Sequence, residues 1–350
     1  MNSYERVFTA LNLGMPDRVP IFEGAIAPKV IEAIIPGGSV EDFTEKYDLD
    51  VVYYREAYRY EPVDIQRNYF RDEWGIVMML GDDAMPSPVE NPIRREEDLR
   101  RFSPPDPRAP HRLAKLVSAV RRFKGVKPVA LGMSDTFAIP WKLRGMSDFL
   151  MDLIAEPKFA KKIIDMVVEY NCELVRAAAQ IGVDIIRPTD DYAFNTGPMM
   201  SPQVWRDFFQ PGLKKIVEVA HSHGLKVVKH TDGLIRELIE PILETGVDAL
   251  HPIEPLPGQS LAHFKERFGK RICLIGNVNC GLLQTGTDQQ VIDSARYALS
   301  SGMPGGGYIF STSNCIYTGM PPERYELMLS VWRKEGNYPP ALPPPRGGRI

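Results

Sequence analysis

Residues 184–233 read DIIRPTDDYAFNTGPMMSPQVWRDFFQPGLKKIVEVAHSHGLKVVKHTDG. A short apolar run, Asp184–Thr189, ends in two acids. An amphipathic stretch, Ser201–His223, follows, and a second apolar run, Lys226–His230, ends in Thr-Asp-Gly. Ser201-Pro202 places an N-cap before a proline at the first helical position, and Gly224 stands where a helix should stop. The unit therefore predicts strand–helix–strand, and a connection this long joins parallel strands.

The same unit recurs in both directions. Further strand candidates are Val19–Glu23, Leu49–Tyr54, Pro128–Met133, Asp248–Pro252, Ile272–Gly276 and Tyr308–Ser311. Further helical patterns are Pro157–Gln180, Leu234–Thr245, Gln289–Ser300 and Pro322–Lys334, with Gly246 and Gly302 at expected stops. Eight strand candidates predict an α/β fold of the (β/α)8 TIM-barrel type, one domain over 1–338 with N-terminal helical additions. A doubly wound sheet would want a Gly-rich phosphate turn after an early strand. The triple glycine Gly305–Gly307 precedes a strand and reads as a loop. Ser103–Pro110 (SPPDPRAP) reads as a boundary or a surface connector, and residues 339–350 (PPALPPPRGGRI) as an extended tail.

The 350 residues are 44% apolar and 25% charged, with 42 Lys+Arg against 45 Asp+Glu. This is globular composition, and a net charge of −3 offers no footprint for nucleic acid. Charges interrupt every apolar run short of a membrane span, and the N-terminus lacks the apolar core of a secretory signal. Four cysteines, Cys172, Cys273, Cys280 and Cys315, show no CxxC spacing. The expectation is a cytoplasmic protein with reduced thiols.

A barrel places its chemistry at the C-terminal ends of its strands. The residues there are Glu23, Asp135, Asp190 with Asp191, His230 with Asp232, His251 with Glu254, Asn277 with Asn279, and Ser313-Asn314-Cys315. Polar residues also begin loops for no catalytic reason. Only six histidines occur, however, and two of them, His230 and His251, fall at the expected mouth. In an extended segment His230 and Asp232 share a face and could grip one metal ion, or orient one substrate oxygen. A histidine tied to a carboxylate for structure alone is as common. Asp190-Asp191 is a carboxylate pair; close like charges raise one pKa and make a general acid available. The bland reading is one capping acid and one solvated acid. Asp72-Glu73-Trp74-Gly75 taken alone reads as a surface turn. Cys280 and Cys315 lack a positive neighbour in sequence and read as inert, while His221 and His223 near a helix C-terminus read as structural.

Taken together, several stretches resemble the uroporphyrinogen decarboxylase superfamily, and within it the methyltransferase-like branch. They are ERVFTALNLGMPDRVPIFEG, RDEWGIV, the 184–224 unit, KVVKHTDG, DALHPIEP, LIGNVN and GGYIFSTSNCIYTGMPPER, in the family's order. The resemblance covers nearly the whole chain and implies a (β/α)8 barrel. It departs from the decarboxylase pattern. Where that enzyme carries R-Q-A-G-R-Y, this chain reads Glu23-Gly24-Ala25-Ile26-Ala27-Pro28, and Asn314 stands where its late histidine is expected. An octacarboxylate substrate needs cationic partners, so uroporphyrinogen is disfavoured.

The other branch transfers methyl groups to or from a corrinoid protein, with zinc held by His-x-Cys and a distant Cys. By resemblance His230 matches the histidine and Asp232 takes the place of the first cysteine. The distant cysteine falls on Asn314, with Cys315 one residue away. The implied metal ligands are His230, Asp232 and Cys315. An oxygen-richer set leaves zinc a stronger Lewis acid and suits an oxygen-bearing methyl donor. No corrinoid-module DxHxxG motif is present, so cobalamin would come on a partner protein.

The expected activity is thus a corrinoid-dependent methyltransferase acting on a small methylated substrate, with Asp190, Asp191 and His230 catalytic. Glu23, Asp135, His251, Asn277, Asn279 and Asn314 are expected to bind substrate. The alternative is a lyase removing a carboxyl group from a smaller acid, with Arg55, Arg59 or Arg187 as its anchor. A non-enzymatic ligand carrier stands behind both. The resemblance also suggests a homodimer.

Overall fold

A computed structural model describes residues 1–81 and 86–339. Its centre is a parallel sheet of seven strands, in the order Val52–Arg55, Val129–Met133, Ile185–Pro188, Lys226–His230, Ala249–His251, Cys273–Ile275 and Tyr308–Ile309. Chain order and spatial order coincide, as repeated strand–helix units require. Ser103–Pro110 lies between two strands that pair with each other in this sheet. The tail beyond Pro339 lies outside the described residues.

The first expected strand, Val19–Glu23, does not form a full ladder. Pro20 has no N–H to donate, and the Ile21 N–H goes instead to the Asp50 carboxylate at 2.9 Å. The segment nevertheless closes the ring. Phe310 N–H donates to the Pro20 carbonyl at 2.8 Å and Phe22 N–H to the Phe310 carbonyl at 3.0 Å, while Asp50 N–H donates to the Ile21 carbonyl at 2.9 Å. The eighth position of the barrel is therefore filled by Pro20–Phe22, between the last strand and the approach to the first.

Helices line the outside, and two differ from expectation. The stretch Ser201–His223 is broken into Pro202–Phe208 and Gln210–Ser222, because Pro211 cannot donate into a continuous helix. Leu234–Thr245 keeps only Ile239–Leu243 as α-helix. The longest, Pro157–Ile181, starts on a proline and ends on left-handed Gly182. No helix among the described residues is long and apolar enough to cross a membrane. The N-terminal additions are Ser3–Leu11, Pro28–Ile34 and Val40–Lys46.

Side chains alternate along each strand, so every second residue points into the barrel. Val51, Ala130, Ile185, Val228, Ala249, Cys273 and Ile309 form one buried apolar layer, sealed from below by Val7, Ala10 and Leu11 of the first helix. Each large aliphatic side chain there contributes roughly 1.5–3 kcal/mol. Two residues further along the same strands come Gly132, Arg187, His230 and His251. The polar layer is thus the next inward-facing storey, resting on an apolar floor.

An antiparallel sheet that the sequence does not announce, Tyr60–Asp64, Tyr69–Asp72, Val77–Met79 and Ser87–Glu90, follows the strand Val52–Arg55. Its strands are short and largely exposed, so they lack the apolar runs that mark the barrel. The expected surface turn lies within it. Asp72 accepts from the N–H groups of Trp74 (2.9 Å) and Ile76 (3.0 Å), as in a turn, but the Trp74 side chain is fully buried.

Candidate active site

His230 and His251 end neighbouring parallel strands and face each other in register. Their Nδ1 atoms lie 2.7 Å apart. His251 Nε2 is 3.2 Å from the Thr312 carbonyl, which can only accept. His251 therefore carries its proton on Nε2, and its Nδ1 is an acceptor. The proton in the short Nδ1–Nδ1 contact must then belong to His230, whose Nε2 is left as a bare lone pair. Burial, with Arg187 next to it, holds both imidazoles well below the ordinary histidine pKa, so both are neutral.

That lone pair points at carboxylates. His230 Nε2 is 3.7 Å from Asp191 Oδ1 and 3.7 Å from Asp232 Oδ2. The three residues form a group whose ligand atoms lie within 4.8 Å of one another. Asp191 Oδ1 also accepts from the Asp232 N–H at 2.9 Å, and Asn314 Nδ2 donates to Asp232 Oδ2 at 2.6 Å. Asp232 Oδ1 is buried with no partner. Burial, then the charges of Asp191 and Glu254, raise the Asp232 pKa well above the usual carboxylate range. A bare imidazole nitrogen facing two carboxylates, Asp191 half-exposed and Asp232 half-buried, is a place for positive charge, and an N/O donor set of this kind fits zinc. The residues present fit a metal, but not with the expected third ligand. Cys315 lines the same cavity without joining the cluster; Asp191 takes that place.

Arg187 sits beneath this group. Its Nη2 donates to His251 Nδ1 at 3.0 Å. Gly24 makes room for it: a Cβ there would come within 2.3 Å of Arg187 Nη1. Gly132 does the same for Tyr53, whose hydroxyl would lie 2.0 Å from an added Cβ. The cavity above is about 180 Å³ and is lined by Tyr53, Arg55, Arg187, Asp191, His230 and Asp232 among others.

The remaining expected site residues fall in several places. Asp190 turns away from the imidazoles and caps the helix Ala138–Arg144, accepting from the N–H groups of Phe137 (2.7 Å) and Ala138 (2.8 Å). Its Oδ1 is buried without a partner, and burial, then Asp135, push its carboxyl up to about 7. Asp135 is fully buried and paired with Lys229 at 2.6 Å, with Tyr192 also donating to it; it belongs to the frame and lines none of the cavities described here. Glu23 accepts from the N–H and hydroxyl of Thr312, below the cluster. Asn277 donates to the Ile253 carbonyl at 2.8 Å, and Asn279 caps the helix Cys280–Thr285. His251 acts through His230, as described. Cys280 is inert, its thiol pushed up to about 12 by burial, and His221 holds Asp248 at 2.8 Å. Sequence reasoning missed Lys142, which reaches the mouth from a helix; the Lys-Leu-Arg in which it sits carries no local signal.

A family model described as Uroporphyrinogen decarboxylase (URO-D) matches residues 2–335. Among similar proteins, the Uroporphyrinogen decarboxylase of Aliivibrio salmonicida (strain LFI1238) is 23% identical over 262 residues, covering 69% of each chain. That of Thioalkalivibrio sulfidiphilus (strain HL-EbGR7) is 22% identical over 286 residues, covering 76% of each. Among solved structures, a methyltransferase from Methanosarcina mazei superposes with a TM-score of 0.74 at 19% identity, over 95% of this chain and 99% of that one. This last likeness bears on the fold.

Proposed function

Since the chain belongs to the uroporphyrinogen decarboxylase family, we propose that it is a methyltransferase of that family. It would move a methyl group between a small oxygen-bearing substrate and a corrinoid carried by a partner protein. The observation that carries this reading is the Asp191–His230–Asp232 group at the barrel mouth, with the His230 Nε2 lone pair turned into the cavity. The absence of the decarboxylase's arginine motif at residues 23–28 and the fold of the methyltransferase neighbour support it.

His230, Asp191 and Asp232 would hold a zinc ion. When bound, the metal supplies Lewis acidity toward the substrate oxygen. The protein's own groups do the rest. His251 and the Thr312 carbonyl fix the His230 ring and its tautomer. Asn314 orients Asp232. Asp190 lines the adjoining cavity, and a carboxyl with a pKa of about 7 holds a proton that it can give to a departing oxygen at neutral pH. Phe137 and Trp141 help to shield that cavity from water.

The test is incubation of zinc-loaded protein with reduced cobalamin and a panel of methyl ethers and methylated alcohols, following methylcobalamin by absorbance. Methyl transfer that disappears in His230→Ala supports the proposal; none with any donor overturns it. A second reading, a carboxy-lyase on a small acid, is favoured by Arg55 and Arg187 in the same cavity. Release of carbon dioxide without metal would bring it forward.

A further inference from the structure

Arg55 ends the first barrel strand and lines three cavities at once. One is the chamber of His230, Asp191 and Asp232. The other two are each about 340 Å³ and share Arg55, Pro86, Ser134 and Lys142. Thr189 and Asp191 line both the first of these and the His230 chamber. The three spaces meet at Arg55.

Two cations, Arg55 and Lys142, line this junction, with Asp190 and Asp191 in one cavity and Glu56 and Asp72 in the other. Among the described residues, neither the Arg55 guanidinium nor the Lys142 ammonium has a hydrogen-bond or ion-pair partner. The acids lining the same cavities accept from other groups, Asp191 from the Asp232 N–H, although Asp190 Oδ1 has no partner. Glu56 accepts from Tyr58 at 2.6 Å and Tyr170 at 2.7 Å. Asp72 accepts from Trp74 and Ile76, and Asp190 from Phe137 and Ala138. Burial, then the repulsion of Arg55, lower the Lys142 pKa against the opposing pull of Asp190, Asp72 and Asp191. The walls beside the two cations are apolar and flat: Phe137, Trp141 and Met146 on one side, Tyr58 and Ile139 on the other.

A pocket with a few placed charges and aromatic walls sets the orientation of a ligand by its charged end. We infer that the substrate is an aromatic or similarly flat carboxylic acid, its carboxylate held by Arg55 and Lys142 and its methyl-bearing oxygen directed to the His230 chamber. The methyl-bearing end of this inference rests on the methyl-transfer reading; the acid-binding end does not.

The test is calorimetric binding of 4-methoxybenzoate, 4-methoxybenzamide and inorganic phosphate to the full chain, without corrinoid, for the wild type, Arg55→Gln and Lys142→Met. Melting curves confirm that the variants fold. The acid is expected to bind at least about ten-fold tighter than the amide or phosphate, and each variant to weaken the acid about ten-fold or more while leaving the amide unchanged. Equal binding of acid and amide by the wild type, equal binding of phosphate, or unchanged acid binding in both folded variants would overturn the inference. Failures separate cleanly. Charge-dependent acid binding with no methyl transfer ends the methyl-transfer reading and leaves the acid site. Methyl transfer from the amide as fast as from the acid ends the acid site and leaves methyl transfer.

Discussion

The 2.7 Å contact between His230 Nδ1 and His251 Nδ1 sets which nitrogen of His230 faces the cavity. His251 spends its only proton on the Thr312 carbonyl, so His230 must donate across the pair, and its Nε2 lone pair turns toward Asp191 and Asp232. Of two histidines on adjacent strands, one thereby turns a bare nitrogen to the cavity and the other fixes its ring.

If His230, Asp191 and Asp232 hold the metal, protein purified without chelators carries about one zinc per chain. His230→Ala, Asp191→Ala and Asp232→Ala lose it, and Cys315→Ala keeps it. Elemental analysis of the four variants decides. Loss in Cys315→Ala with retention in Asp191→Ala would restore the ligand set implied by resemblance.

His251→Phe removes the acceptor for the His230 proton while keeping a ring of similar size. Zinc affinity, read by competition with a chelating dye, should fall about 10–100-fold, the usual consequence of losing a ligand's supporting hydrogen bond. An unchanged affinity would mean that His251 does not set the tautomer.

Glu23 is buried, and burial raises its carboxyl from 4.5 to about 7. The folded state therefore keeps the proton where the unfolded chain has released it. This contribution to stability is complete below pH 4.5 and is lost as pH rises through about 7. Between pH 4.5 and 8 the wild type should lose on the order of 3 kcal/mol relative to Glu23→Gln, whose side chain does not titrate. Urea midpoints of both proteins across that range measure it; parallel curves would refute it.

Lys229 and Asp135 form a fully buried pair 2.6 Å apart. Lys229→Met strands a buried carboxylate and should destabilise the fold by about 3–5 kcal/mol. Adding Asp135→Asn should recover most of that loss, because the buried charge is gone. Urea denaturation of the single and double variants reads both terms; no recovery in the double variant would mean that lost packing, not stranded charge, dominates.

The barrel was legible because its strands are short apolar runs bounded by helix signals, and those patterns are local. The strand-end logic reached His230, Asp191, Asp232 and Asn314 for the same reason: a residue just past an apolar run lies at the mouth whatever its neighbours are. What each side chain then does was not legible. Asp190 and Asp191 are adjacent in sequence, yet one caps a helix that begins at Ala138 and the other faces His230. Asp135 looked like a mouth residue until Lys229, 94 positions away, neutralised it.

The chain's own order of apolar and polar residues was sufficient for parallel strands and for the end at which polar side chains collect. Only the closed barrel could bring His251 Nδ1 against His230, place Asp191 beside His230 and Asp232, and turn Arg55 and Lys142 to one cavity. Periodicity along a strand records which face a side chain takes. Its partners across the barrel depend on register, on small residues such as Gly24 and Gly132 that leave room, and on the competition of distant groups for each proton.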